Sequence, residues 1–216
     1  MTRRLGCQVA SGHGKAYTMF RKLCATAAAT AAIVAAAGTP AQAALLRTGA
    51  CDTSSLSQPF APYGDTNSYK LVPGGTFEGS LAGWSLHGAV AVNAGGGPQD
   101  GGGGHALTLN AGGWVQSPKT CANTSYPTFR FFVTGRGNGL STMLVQVVYS
   151  VPLLGDVALP VGTVTLNPGW APSLPMLTAS TAPALLSNGT AQVALRFTQV
   201  LGSADIDGVY VDPRMR

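Results

Sequence analysis

Glutamate occurs once in the 216 residues, at Glu78, and histidine only three times. Beyond residue 43 the chain keeps two histidines, His87 and His105, and two cysteines, Cys51 and Cys121. A zinc site of clustered histidine and cysteine has no ligand set in such a sequence. The nucleophile elbow Gly-x-Ser-x-Gly is absent, so a serine–histidine–acid triad would have to be assembled in space from distant residues. No Gly-Lys-Ser/Thr follows the low-complexity stretch Ala94–Gly104, which holds seven glycines between Gly95 and Gly104. That stretch reads as a mobile connection between strands, not as a phosphate cradle.

What is present first is an export signal. Arg21 and Lys22 precede the alanine-rich apolar run Leu23–Ala37, and Thr39-Pro40 ends it before the small-x-small cleavage site Ala41-Gln42-Ala43. The run is shorter than the about 20 apolar residues that span a bilayer, and no second one of that length follows. Met1–Thr18 is polar and fits a signal poorly, whereas Met19-Phe20-Arg21-Lys22 opens a typical one, so translation is expected to start at Met19. Residues 1–43 are therefore read as a signal peptide, 44–68 as an irregular arm rich in turn formers (Pro59, Pro62, Gly64-Asp65), and 69–216 as one domain. Five of the 13 basic residues precede residue 44 and all eight acids follow it, which leaves eight of each. The basic pI thus belongs to the targeting segment and gives no argument for nucleic-acid binding. In an exported chain the even pair Cys51 and Cys121 is expected to form one disulfide, the alternative being two buried thiols.

Glycine, threonine, serine and valine dominate the rest, which favours strands and turns over long helices. About a dozen short strand candidates run from Tyr69–Val72 to Asp205–Val211, Thr76–Glu78 and Val161–Leu166 among them. Two alternate cleanly. In Thr128–Thr134, Phe129, Phe131 and Val133 share one face, with Arg130, Phe132 and Thr134 on the other. In Ala191–Val200, Val193, Leu195 and Phe197 oppose Ala194, Arg196 and Thr198. Period-two patterning of this kind puts one face on a core. The expected fold class is all-β, a β-sandwich of jelly-roll type. The one helix-like stretch beyond the signal is near Ala182–Ser187.

Two segments carry a resemblance. Pro73-Gly74-Gly75-Thr76-Phe77-Glu78-Gly79-Ser80-Leu81-Ala82-Gly83-Trp84 and Asp205-Ile206-Asp207-Gly208-Val209-Tyr210-Val211 resemble the opening and closing segments of jelly-roll carbohydrate-binding modules with a galactose-binding-domain-like fold. The chain looks still more like a set of small exported actinobacterial proteins that share the pattern. It departs at Gly208, where a second aspartate often sits. The resemblance implies a structural calcium held by Glu78 and Asp207; hard oxygen ligands suit that ion. The alternative is that both acids are solvated or pair with Arg130 or Arg196.

Sugar recognition needs aromatic faces and a few polar anchors. Trp114, Trp170, Tyr126 and Tyr149 are the aromatic candidates, each otherwise core or edge packing. Arg130, Gln146 and Arg196 lie on the polar sides of their strands and are expected to line a ligand-binding sheet, or else form a solvated face. Asp205 and Asp207, about 6.7 Å apart on one strand, match an inverting glycosidase pair in spacing. Neighbours on one strand cannot easily flank a bond, however. The expected function is a secreted, non-catalytic module that binds a glycan. A cell-envelope adhesion or structural protein that binds another protein is the runner-up, and a hydrolase without a recognisable motif comes third.

Overall fold

The structure, a computed structural model, describes residues 55–88, 90–98, 104–123, 128–151, 153–178 and 190–212. The signal peptide, Met19, Cys51, Tyr126, Ala182–Ser187 and the middle of the glycine stretch lie outside the described residues.

Among the described residues fourteen strands follow one another. β1 (Leu56–Ser57) and β2 (Tyr69–Leu71) flank a single 3-10 turn at Ala61–Tyr63. Next come β3 (Ser85–His87), β4 (Val90–Ala94), β5 (His105–Asn110), β6 (Trp114–Gln116) and β7 (Thr120–Asn123). The longer β8 (Thr128–Gly135), β9 (Ser141–Val151) and β10 (Gly155–Leu166) precede the short β11 (Ala171–Pro172) and β12 (Met176–Leu177). β13 (Thr190–Leu201) and β14 (Ser203–Asp212) close the chain.

They form two antiparallel sheets. β14 is the axis of the first: β8 pairs along one side, with β11 and β12 beyond it, and β5 and β2 share the other side, with β4 and β1 beyond them. β13 is the axis of the second: β9 and then β10 lie on one side, and β7 and β6, followed by β3, on the other. The chain changes sheet from β2 to β3, β3 to β4, β5 to β6, β7 to β8, β8 to β9, β10 to β11, β12 to β13 and β13 to β14. This is a β-sandwich of jelly-roll type, as the alternating patterns imply. Among the described residues no helix is long and apolar enough to cross a membrane.

Both alternating segments place their apolar residues as expected. Phe129, Phe131 and Val133 of β8 meet Val193, Leu195 and Phe197 of β13 in the core between the sheets. Phe131 and Phe197 touch edge to face, centroids 4.8 Å apart at 71°, a preferred geometry for two aromatic quadrupoles. The two axial strands are joined at Gly202, whose φ of 73° lies in the left-handed region. A Cβ there would sit 2.7 Å from the Leu140 carbonyl oxygen. Gly202→Ala is therefore expected to destabilise by about 2 kcal/mol, read as a lowered urea midpoint.

Three local readings change. Thr76–Glu78 is a turn, not a strand: Phe77 adopts φ 57° and is buried against Trp84, whose indole N–H donates to the Pro73 carbonyl at 2.8 Å. β10 starts earlier than Val161 and passes through Pro160, a residue tolerated because β10 is an edge strand and its register shifts there. The arm is no appendage: Leu56 and Ser57 pair with Lys70 and Tyr69, and Phe60 is fully buried. The sandwich begins before residue 69.

Candidate functional site

Each sheet has an outer face, and the arm closes one of them. Phe60 packs with Tyr69, Phe132 and Tyr210 on the outside of the first sheet, with ring centroids 5.0, 5.0 and 5.7 Å away. Arg130, on β8, lies with its guanidinium 4.5 Å from the Phe60 ring centroid. It donates through Nε to the Ser173 carbonyl at 2.8 Å and through Nη1 to Asp65 Oδ2 at 2.7 Å. The Tyr69 hydroxyl and the Asn67 backbone N–H also donate to Asp65. Burial pushes the Asp65 carboxyl up, but these three donors outweigh it and hold it below the usual aspartate value. Arg130 is therefore a structural clamp on the arm and does not line a ligand face. Trp170 packs against the same aromatic cluster.

Tyr149 also leaves the ligand set. In β9, Met143, Val145, Val147 and Tyr149 alternate inward, and Tyr149 is buried in the main core with its hydroxyl donating to the Thr178 carbonyl. A ring enclosed on this scale offers no face to a sugar.

The second sheet brings the other three candidates together. Register places Gln146, Arg196, Gln116 and Ser85 side by side across β9, β13, β6 and β3, and beside them Leu144, Thr198, Trp114 and His87. Four strands make a band about 14 Å wide. Their side chains point outward because their neighbours Val145, Leu195, Phe197 and Val115 fill the core. His87 stacks on Trp114, centroids 5.2 Å apart and planes within 8°. The Arg196 guanidinium carbon lies 4.5 Å from the Trp114 centroid, within cation–π range. Arg196 Nε and Nη2 donate to Gln116 Oε1 at 3.0 and 2.7 Å, and Thr198 Oγ1 donates to Gln146 Oε1 at 3.3 Å. Half-exposed aromatic surface with polar groups fixed beside it is what binding of a polyhydroxylated ligand requires. His87, Gln116 and Thr198 belong to this band without having been expected there. The signal was the alternation that puts Gln116 two residues from Trp114 and Thr198 two from Arg196.

The two carboxylates expected at a calcium ion hold backbone instead. Glu78 accepts from the His105 backbone N–H, and its other oxygen lies 3.0 Å from His105 Nδ1. Those contacts hold the Glu78 carboxyl below its usual value. Asp207 is fully buried and accepts from the Gly97 and Gly208 N–H groups at 2.5 and 2.6 Å. His105 and Gly97 stand on the two sides of the β4–β5 connection, so the acids pin its base. Calcium needs six to eight oxygens around it. Here N–H donors face both carboxylates, and among the described residues no three His, Cys, Asp or Glu side chains converge. The described acidic side chains alone therefore do not make up a calcium shell. Asp205 is likewise engaged, accepting from Thr108 Oγ1 and pairing with Arg136 Nε at 3.2 Å. The Asp205–Asp207 pair is thus not poised across a cleft for hydrolysis.

No protein-family model matches the chain, and no curated protein matches it in sequence. Solved structures do. One is the carbohydrate-binding and catalytic module pair of a Clostridium thermocellum endo-1,4-β-D-xylanase complexed with xylohexaose, 16% identical over 65% of this chain, TM-score 0.48. The chain spans 28% of that protein's length. Another is a xylan-binding domain from Paenibacillus barcinonensis, 12% identical over 64% of this chain and 96% of that one, TM-score 0.44. A third is the cleaved adhesin domain of Lys-gingipain from Porphyromonas gingivalis, 13% identical over 65% of this chain and 96% of that one, TM-score 0.46. These are similarities of fold. The architecture assigned above stands on the strand pairing itself.

Proposed function

We propose that this is a secreted, non-catalytic module that binds a glycan across the outer face of its second sheet. The observation that carries the reading is the convergence of Trp114, Arg196 and Gln146 with His87, Gln116 and Thr198 on that face. On the opposite outer face the arm covers Phe132 and Tyr210, with Tyr63 left exposed. Export rests on residues 1–43 of the sequence. Trp114→Ala is expected to weaken retention on an immobilised polysaccharide about tenfold, the scale of one aromatic contact, with little change in melting temperature. Unchanged retention on every polysaccharide that binds the parent protein would sink the assignment of this face.

Protein binding is the second reading. Leu153 and Leu154, at the β9–β10 turn, are the observation that favours it: both are strongly exposed. Leu153→Ser with Leu154→Ser should abolish cell-surface attachment if that reading holds and leave polysaccharide retention unchanged.

The calcium expectation is tested separately. From the donors around Glu78 and Asp207, a chelator should leave the melting temperature unchanged. A fall of several degrees would return calcium to these two residues, since a ligand of the folded state alone stabilises it by mass action.

A further inference from the structure

The hydrogen-bond inventory of the band is lopsided. Gln116 Oε1 already accepts twice from Arg196, and Gln146 Oε1 accepts from Thr198. The Gln116 orientation follows from chemistry, because a guanidinium only donates and so must face the amide oxygen. What is left among the described residues is chiefly donors: Arg196 Nη1 and the amide nitrogens of Gln116 and Gln146, none of which has a hydrogen-bond partner there, with the His87 ring beside them. Among the described residues Arg196 is also a cation without an acidic partner. The other described acids lie on the first sheet or on loops that meet it, apart from Asp156. Asp156 is about 13 Å along β9 from Gln146 and accepts from Ser150 Oγ at 2.6 Å.

A face that offers donors and a fixed guanidinium, with both of its amide oxygens already accepting, complements an acceptor-rich anion. The guanidinium is planar and held over Trp114 by Gln116, so its Nη1 edge is preorganised and little side-chain freedom is lost on binding. We propose that the glycan this face takes is acidic, a polysaccharide whose uronate carboxylates are received by Arg196 with the Gln146 and Gln116 amides beside it. This rests on the glycan-binding reading and narrows it to a substrate class.

The test is calorimetric titration of the secreted protein with polygalacturonate and with the same polymer after its carboxyl groups are reduced to alcohols. Binding to polygalacturonate should weaken at least tenfold on carboxyl reduction and fall steeply between low and high salt, as charge pairs at a surface do. Arg196→Gln should give the same loss, and Arg196→Lys should recover only part of the affinity, because the ammonium lacks the planar fork. If Arg196→Gln does not fold, carboxyl reduction and the salt dependence of the parent protein decide the matter. Equal affinity for the acidic and the reduced polymer overturns the acidic class and leaves glycan binding standing. Binding to dextran sulfate as tight as to polygalacturonate overturns the carboxylate assignment. Failure to bind these polymers or any neutral polysaccharide overturns both this proposal and the reading beneath it.

Discussion

Arg130→Met is expected to lower stability by about 3 kcal/mol at neutral pH, the scale on which breaking one side of a largely buried ion pair acts. The substitution keeps the packing stem but strips Asp65 of its cation and the Ser173 carbonyl of its donor. It also removes the charge over Phe60, and with it one of the contacts that hold the arm on the first sheet. The Asp65 carboxyl is held below its usual value in the folded protein. Its contribution is therefore complete above the unfolded-state value near 4 and disappears as the pH falls through the lower, folded-state value. In the parent protein this loss adds to acid destabilisation below about pH 4. In Arg130→Met much of it is already gone, so the difference between the two proteins should shrink in acid. Urea midpoints at pH 7 and pH 2.5 read both quantities. A deficit of the same size at both values would mean that the arginine acts through packing alone and that the ion pair adds nothing.

What the sequence made legible here is what alternation can carry. Phe129, Phe131 and Val133, like Val193, Leu195 and Phe197, announce an inward face because nothing but strand period is needed to see it. The same rule, applied to Met143, Val145, Val147 and Tyr149, places Tyr149 inside. Its aromatic ring suggested a sugar face, and the period outweighs that suggestion. The outer side of β8 was misleading for a different reason. Arg130, Phe132 and Thr134 look like a solvated face with one misplaced phenylalanine, yet Phe132 is fully buried. The layer that covers it comes from an arm whose prolines and glycine erase any periodicity, so Phe60 carries no local sign of burial. Period tells which side chains share a face but not what lies over that face. The candidate site shows the matching limit. Trp114, Gln146 and Arg196 belong to three strands widely separated in sequence, and only register makes them neighbours. His87 joins them through β3, three residues long, too short for its pattern to stand out.

Replacing Cys51 and Cys121 together by serine should cost about 4 kcal/mol, the largest single effect expected in this protein. The two residues are 70 positions apart. In the chain-entropy account, a bond closing a loop of that size removes roughly 4 kcal/mol of conformational freedom from the unfolded chain. Its place in the fold gives the bond a second consequence. Cys121 lies on β7, a four-residue strand held to the axial strand β13 by one short ladder in which Cys121 faces Gln192. Cys51 precedes β1 in the sequence, and β1 is an edge strand of the first sheet. A bond between them would tie the start of the arm to the second sheet, so its loss should loosen β7 and the arm before the β8–β14 and β9–β13 pairs. Peptide mapping of freshly exported protein under non-reducing conditions should give one crosslinked Cys51–Cys121 peptide, and two alkylatable thiols would refute the bond. Hydrogen exchange in the double serine variant should rise first at Thr120–Asn123 and Leu56–Ser57. Exchange that rises uniformly over the whole sandwich would instead mean that the bond acts on the unfolded chain alone.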